Sequence, residues 1–314
     1  MTEGPRIAVA PAGVEMVAAL VEGAGGTIVE PDEADALIWT DPADPNGLKE
    51  LLTGSPARWV QLPFAGIESF FDAGAIDPAR TWTCAKGIYG PATAEHALAL
   101  MLMAARRLHV HATARAWTSE AGVGSGFGAA ERRLASCTVV IVGTGGIGRA
   151  LTEMLRPLGP RILAANRSGN RLEGAETTVP SERIADVLPE ADFVVLAAAH
   201  TPQTHHLIDA AALDAMREGA WLVNVARGGL VDTEALVDAL RSGRIGGAAL
   251  DVTDPEPLPE GHPLWELPNA VVTPHVANTW DMAVPELAAL VGRNVAHFAA
   301  GEPLEGLVDP ASGY

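Results

Sequence analysis

The run CTVVIVGTGGIGRALTEML, which begins at Cys137, restricts the fold of this chain more than any other segment. Its first part is aliphatic and β-branched, which predicts a buried strand, and its last part has the apolar spacing of a helix. Three glycines lie between them in the spacing G-x-G-x-x-G. In such a unit the first glycine allows a tight turn, the second admits a pyrophosphate, and the third lets the helix pack on the strand. We therefore predict that dinucleotide phosphates bind at Gly143, Gly145, Gly146, Ile147 and Gly148.

Strand-like and helix-like segments alternate along the rest of the chain, which is typical of an α/β fold. The other strand-like runs are Arg6–Ala10, Gly26–Val29, Ala36–Trp39, Arg58–Leu62, Arg161–Ala165, Phe193–Ala198, Trp221–Val225, Gly247–Asp251 and Val271–Thr273. From Cys137 onwards these runs predict six strands joined by crossovers, as in a Rossmann sheet. A long helix is predicted at Ala92–Leu108 and another, beyond Pro285, at Glu286–Ala300. A chain of 314 residues suits two domains.

Charge and composition narrow the classes of partner. The chain has 39 acidic side chains against 21 Lys and Arg, a formal charge of −18. Because this charge repels phosphate backbones and anionic bilayers, we expect neither nucleic acid nor a membrane as a partner. Two cysteines without a disulfide pattern, and no basic and apolar leader, predict a cytoplasmic protein. No spacing of His, Cys or acidic residues indicates a metal site.

The strand after the glycine turn bears on cofactor choice. It ends in AANRSGN, about 20 residues on, where an NAD enzyme places an Asp or Glu on the ribose 2′-hydroxyl. No acid stands there. Asn166 does not repel a phosphate, Arg167 can pair with one, and Ser168 can donate a further hydrogen bond. We predict NADP(H) over NAD(H); the alternative is that Arg167 only faces solvent.

Three polar residues follow strand-like runs at distant positions and together predict a catalytic set. Arg227 follows WLVNVA, Glu256 lies in DPEP, and His275 follows AVVTP. Reduction of a 2-oxo acid needs a cation for the carboxylate, an acid for the carbonyl oxygen and a hydride donor. Arg227 suits the first role and His275 the second, while Glu256 is expected to accept from the other imidazole nitrogen. Gly228 and Gly229 are expected to leave room for substrate. Each residue alone has an ordinary structural explanation, so the prediction depends on their joint occurrence.

The order and the sequences of these motifs, from about Trp59 to His275, resemble those of the D-isomer-specific 2-hydroxy-acid dehydrogenase family. The resemblance implies an α/β fold in which a Rossmann nucleotide-binding domain, residues 104–284, is inserted in a discontinuous flavodoxin-like substrate domain, residues 1–103 and 285–314. It also implies an NAD(P)-dependent reductase of small 2-oxo acids that forms a homodimer. Glyoxylate and hydroxypyruvate are the leading substrates. Glu256 favours a hydroxy acid, because related formate-oxidising enzymes carry a glutamine as the partner of the catalytic histidine.

The same resemblance assigns further contacts. QLPFAGIESF resembles a glycine turn whose backbone N–H groups hold the substrate carboxylate, so substrate binding is expected at Phe64, Ala65, Gly66 and Ile67. The alternative for Phe64 is core packing. Further cofactor contacts are expected at Thr201, at Ala226 and at Asp251, which resembles the residue that orients the nicotinamide carboxamide.

Other features are interpreted more plainly. Glu95 and His96 are neighbours on the long helix and point about 100° apart, so they are interpreted as structural residues and not as an acid–base couple. Trp117 resembles part of a dimer-interface segment, and the glycines at Gly122–Gly128 predict a mobile loop.

Two other functions remain open. One is a D-3-phosphoglycerate dehydrogenase-like enzyme, although the first domain shows no Arg or Lys cluster for a second anionic group. The other is a nucleotide-sensing, corepressor-like binding protein, although the chain has no long disordered or basic tail for recruiting partners.

Overall fold

The computed structural model of the chain describes residues 4–11, 14–115 and 131–310. The strands, in chain order, are β1 (Arg6–Ala10), β2 (Thr27–Ile28), β3 (Ala36–Trp39), β4 (Trp59–Gln61), β5 (Thr81–Thr83), β6 (Thr138–Val142), β7 (Arg161–Asn166), β8 (Thr177–Pro180), β9 (Phe193–Leu196), β10 (Trp221–Asn224), β11 (Gly247–Leu250), β12 (Ala270–Val272) and β13 (Leu307–Val308). The helices are α1 (Glu15–Gly23), α2 (Pro45–Leu52), α3 (Glu68–Asp72), α4 (Gly90–Ala105), α5 (Leu108–Ala114), α6 (Gly146–Leu155), α7 (Ala210–Ala215), α8 (Thr233–Ser242), α9 (Pro263–Glu266) and α10 (Trp280–Ala300).

These elements form two compact units. A discontinuous unit comprises residues 1–89 and 279–314, and an inserted unit comprises residues 90–278. The sequence analysis placed the domain boundaries after residues 103 and 284. In the structure, α4 groups with the inserted unit instead.

Packing explains where α4 belongs. Ala97 and Met101 of this helix are fully buried in the same apolar cluster as Leu151 and Leu155 of α6. A Cβ on Gly90 would lie 2.7 Å from the backbone of Gly146, so the two helices approach closely at their first residues. An apolar run alone does not show against which sheet a helix packs.

The sheet of the discontinuous unit has the order β13-β5-β4-β3-β1-β2. All neighbours are parallel except β13, which runs antiparallel to β5. The parallel part has the order 2-1-3-4-5, which is typical of flavodoxin-like sheets. Every residue of β3 is buried, as expected of a parallel strand covered on both faces.

A buried polar network joins α10 to this sheet. Asn294 donates from Nδ2 to Oε1 of Gln61 at 3.0 Å, and Thr83 donates to the same oxygen at 2.8 Å. Trp59 donates from its indole to Thr83 at 2.7 Å. Asn294 also accepts from the backbone N–H of Glu305 at 2.8 Å, so the network holds both the last helix and the segment that leads to β13.

The sheet of the inserted unit is fully parallel and has the order β12-β11-β10-β9-β6-β7-β8. This is the Rossmann arrangement with one further strand, and strand order reverses between β6 and β9. Residues of β6 alternate between two apolar clusters: Val139 and Ile141 belong to one, and Val140 and Val142 to the other. The sheet is therefore covered on both faces.

Two predictions from the sequence need correction. The sheet contains β8, a short edge strand beside β7 that the sequence did not reveal, because TTVP follows a polar stretch and only Val179 of its four residues is buried. The last helix begins at Trp280 and continues through Pro285, whereas the sequence predicted that it begins after the proline, at Glu286.

Within the described residues, no helix combines the length and the apolar character that crossing a bilayer requires. Cys84 and Cys137 are both buried and unpaired, and burial raises the pKa of each thiol.

Candidate active site

Steric contacts explain two of the glycines in the turn between β6 and α6. Gly143 has a φ of 100°, and a Cβ there would lie 2.5 Å from the backbone of Ala197. A Cβ on Gly148 would lie 2.1 Å from the carbonyl oxygen of Gly143. Around Gly145, in contrast, nothing lies within 4 Å of a Cβ position. The fold itself thus requires the first and third glycines, while the second faces open space.

That open space lies at the amino terminus of α6. Gly145 caps the helix without a side-chain hydrogen bond, and Gly146 and Ile147 form its first turn. The first backbone N–H groups of a helix have no partner within it, and the helix dipole is positive at this end. A shallow cradle with free donors and partial positive charge fits a pyrophosphate, so these residues fit a dinucleotide.

The end of β7 presents no carboxylate to a ribose. Asn166 donates to the hydroxyl of Thr144 at 3.0 Å and accepts from the backbone N–H of Ser168 at 3.1 Å, which ties the strand end to the glycine turn. Arg167 is exposed and makes no hydrogen bond or ion pair within the described chain. Arg171, which the sequence analysis did not select, is a second exposed arginine of the same loop.

The remaining predicted cofactor residues also follow parallel strands of this sheet. Thr201 lies in the loop after β9, where its backbone N–H donates to the hydroxyl of Thr204 at 2.8 Å. Ala226 follows β10 and Asp251 follows β11. Carboxyl ends of parallel strands share one edge, so these residues lie on the edge that carries the glycine turn.

His275 and Glu256 form a close pair on that edge. Nδ1 of His275 lies 2.6 Å from Oε1 of Glu256, and the two side chains are 50% and 42% exposed. A carboxylate can only accept, so Nδ1 carries the hydrogen. The opposite ring nitrogen, Nε2, is then the atom that can exchange a proton with a bound molecule.

Arg227 begins the loop after β10. Nη1 of Arg227 donates to the carbonyl oxygen of Ala226 at 2.8 Å, and Nδ2 of Asn224 donates to the carbonyl oxygen of Arg227 at 2.9 Å. A Cβ on Gly228 would lie 2.0 Å from the backbone of Thr253, and one on Gly229 would lie 2.8 Å from the ring of His200. A side chain at either glycine would therefore collide with the protein itself, and the expected room for substrate stays a prediction.

Asp251 is buried, with 2% of its surface exposed. Burial alone would raise the pKa of its carboxyl group. Hydrogen bonds from His96, Thr273 and the N–H groups of Val276 and Ala277 outweigh that effect and lower the pKa to about 2. Asp251 is thus an anion with its oxygens engaged by the protein, and its expected contact with the nicotinamide stays a prediction.

The expected substrate turn belongs to the discontinuous unit, between β4 and α3. Phe64 packs edge-on against Tyr89 and Trp280, with ring centroids 6.0 Å and 5.6 Å away. Ile67 is buried, with 1% of its surface exposed. Substrate binding at Phe64, Ala65, Gly66 and Ile67 stays a prediction.

Two predictions concern a segment that the structure does not describe. Trp117 and the glycines at Gly122–Gly128 fall outside the described residues. Among the described residues, no three His, Cys, Asp or Glu side chains are grouped so as to hold a metal ion.

Comparison with known proteins agrees with this geometry. The sequence profile described as "D-isomer specific 2-hydroxyacid dehydrogenase, NAD binding domain" matches residues 98–277. A Corynebacterium melassecola sequence described as "Uncharacterized protein in proB 3'region" is 38% identical over 96% of this chain and 97% of that one. A glyoxylate reductase from Thermococcus litoralis is 35% identical over 88% of this chain and 84% of its own.

Solved structures extend the likeness to the whole chain. An NADPH-dependent glyoxylate/hydroxypyruvate reductase from Sinorhizobium meliloti, in complex with NADP and sulfate, covers 99% of this chain and 100% of its own with a TM-score of 0.80 and 25% identity. A D-lactate dehydrogenase with NAD⁺ from Lactobacillus jensenii covers 97% of this chain and 99% of its own with a TM-score of 0.74 and 22% identity. The fold thus occurs with either nicotinamide cofactor.

Proposed function

The chain belongs to the D-isomer specific 2-hydroxyacid dehydrogenase family, and on that premise we propose that it is an NADP(H)-preferring reductase of small 2-oxo acids, with glyoxylate or hydroxypyruvate as substrate. The observation that carries the proposal is the His275–Glu256 pair, 2.6 Å apart on the strand edge that also bears Arg227 and the glycine turn. The pair supplies a proton carrier, and Arg227 supplies a cation for a carboxylate.

Arg227, His275 and Glu256 each have a different role in the reduction. Arg227 binds the substrate carboxylate and orients the neighbouring carbonyl group. The nicotinamide, when bound, supplies the hydride that adds to the carbonyl carbon. His275 donates the proton on Nε2 to the carbonyl oxygen, and the negative charge of Glu256 stabilises the imidazolium before that transfer. One hydride and one proton convert the carbonyl group into a hydroxyl group.

Three observations support NADP(H) as the preferred cofactor. The end of β7 presents Asn166 where a ribose-binding acid would repel a 2′-phosphate. Arg167 is exposed and makes no ion pair within the described chain, so a phosphate would not have to displace an internal partner. The structurally similar reductase from Sinorhizobium meliloti is NADPH-dependent.

Similarity to the glyoxylate reductase of Thermococcus litoralis supports a small substrate. Phe64 adds to this, because rings on two sides hold it and leave it little freedom to move aside for a bulky substituent. The homodimer and the cytoplasmic location expected from the sequence belong to the same proposal. Light scattering of the purified protein tests the first of these.

Cofactor oxidation tests the proposal. Absorbance of NADPH and of NADH is followed with glyoxylate, hydroxypyruvate, pyruvate and bulkier 2-oxo acids. We expect turnover to be fastest with NADPH and either glyoxylate or hydroxypyruvate. Tight binding of NADPH without turnover of any of these acids would instead favour a nucleotide-sensing protein.

A further inference from the structure

His275 holds a backbone conformation that residues with side chains avoid. Its φ is 53°, in the left-handed region. Such a conformation persists only where the surroundings fix it. The N–H of His275 donates to the carbonyl oxygens of Asp251 at 2.8 Å and Thr273 at 3.0 Å. Whatever fixes this backbone also fixes the direction of the imidazole ring that pairs with Glu256.

The side chain of Asp251 holds the next two residues. Its Oδ1 accepts from the N–H of Val276 and its Oδ2 from the N–H of Ala277, each at 2.9 Å. Asp251 therefore contacts three consecutive residues, with its carbonyl oxygen on His275 and its carboxylate on the following two. The place of the carboxylate determines the path of the backbone through His275.

A histidine of α4 reaches the same carboxylate. Nε2 of His96 lies 3.3 Å from Oδ1 of Asp251 and 3.1 Å from the hydroxyl oxygen of Thr273. The hydroxyl of Thr273 donates its single hydrogen to Oδ1 at 2.6 Å. Both neighbours of Nε2 can then only accept, so Nε2 of His96 carries a hydrogen and donates to them.

His96 differs from the other donors in where it comes from. Thr273, Val276 and Ala277 belong to the segment that contains His275, so they move together with it. Among the described residues, His96 is the donor to this carboxylate from outside that segment. It ties the network to α4, a helix whose buried side chains pack against α6.

We propose that His96 is a positioning residue for His275, which it fixes by anchoring the carboxylate of Asp251 to α4. This inference rests on the proposed function for its kinetic consequence, since it assigns His96 a part in proton delivery. It replaces the purely structural interpretation of His96 that the sequence favoured.

Two substitutions test this role. His96→Leu keeps a side chain of similar bulk and removes the donor, whereas His96→Gln keeps an N–H donor. We expect His96→Leu to lower kcat for reduction about 10- to 100-fold with little change in the KM for cofactor. His96→Gln should recover most of the loss. His111→Leu is the matched control, since His111 is an exposed histidine of the neighbouring α5 that pairs with Glu131.

A second readout does not depend on substrate. In protein labelled with ¹⁵N-histidine, NMR detects the Nδ1–H of His275 that donates to Glu256, and the His275→Asn variant assigns the signal. We expect this signal in the wild type and in His96→Gln, and we expect it to broaden or vanish in His96→Leu. An unchanged signal and unchanged kcat in a folded His96→Leu variant would overturn the inference. So would equal losses of activity and melting temperature in both variants with the signal intact, because that pattern marks a structural role. Failure of the wild type to reduce any 2-oxo acid would refute the proposed function and leave the NMR test in force.

Discussion

The glycine turn after β6 and the segment around His275 lie on the same sheet edge but are held in opposite ways. In the turn, Gly143 and Gly148 are required because any side chain would collide with the backbone of Ala197 or of Gly143 itself. Around His275, an ordinary residue occupies the left-handed region because Asp251 and its donors hold it there. The first requirement is one of space between backbone segments, and the second is one of hydrogen bonding. Substitutions at Gly143 and Gly148 should therefore act mainly on stability, and substitutions at His275 mainly on chemistry.

The largest effect is expected at His275. His275→Asn removes the imidazole that is proposed to donate the proton but keeps a polar side chain. We expect kcat for reduction to fall roughly 100- to 10,000-fold while cofactor affinity is retained. Steady-state kinetics and a fluorescence titration with NADPH measure the two quantities. His262→Asn is the control, because His262 only caps α9 and asparagine is a good cap. Activity within tenfold of wild type in His275→Asn would remove His275 from the proton-donor role.

The glycine turn should show the reverse behaviour. Gly148→Ala places a Cβ 2.1 Å from a carbonyl oxygen, so we expect the free energy of unfolding to fall by roughly 3 kcal/mol. Gly145→Ala meets no atom within 4 Å and should leave stability nearly unchanged, but its methyl group enters the space expected to hold the pyrophosphate. Urea unfolding and NADPH titration separate the two effects. If Gly145→Ala binds NADPH as tightly as the wild type, the pyrophosphate lies elsewhere.

The acid stability of the His275 segment should depend on Asp251. The pKa of its carboxyl group is about 2 in the folded protein against an ordinary value of 3.8. A lowered pKa stabilises the fold above the ordinary value, and this contribution is lost as pH falls through the folded value. We expect Asp251→Asn to lower the free energy of unfolding by about 2 kcal/mol at pH 7. The difference from wild type should shrink between pH 4 and pH 2.

Unfolding by urea at several pH values measures that difference. Asp186→Asn serves as control, because Asp186 pairs only with Arg183 at the surface and such pairs contribute little at any pH. A difference for Asp251→Asn that stays constant down to pH 2 would contradict the low pKa.

The smallest effect is expected at Arg167, which is exposed and forms no ion pair in the described chain. Arg167→Ala should raise the KM for NADPH about tenfold and leave the KM for NADH nearly unchanged, because only NADPH carries a 2′-phosphate. Arg183→Ala, another exposed arginine of the inserted unit, is the control. Equal changes in the KM for NADPH and for NADH would show that Arg167 does not bind the 2′-phosphate.

Features with local causes were predictable from the sequence. β1 and β3 coincide with their predicted bounds, and the glycine turn lies between a strand and a helix as expected. Glu256 and His275 follow different strands, yet their pairing could be expected because parallel strands bring their carboxyl ends to one edge.

Features with distant causes were not predictable. No pattern links His96 to Asp251, because their contact depends on how α4 packs across the sheet. The sequence explained Gly228 and Gly229 by room for substrate. It could not show that Thr253 and His200 lie close to these glycines, because they are distant in sequence. The edge strand β8 is short and half polar, so it lacks the alternation that marks a strand.

The buried network of Gln61, Thr83 and Asn294 has a consequence for the order of events during synthesis. The inserted unit is one continuous stretch, so all of its strands have been synthesised by residue 278. The sheet that begins at β1 must wait for α10 and β13, because Asn294 and the antiparallel edge strand come from the last part of the chain. The strands made before residue 90 are therefore completed by segments made after residue 278, so the discontinuous unit becomes fully folded only after the inserted unit has been synthesised.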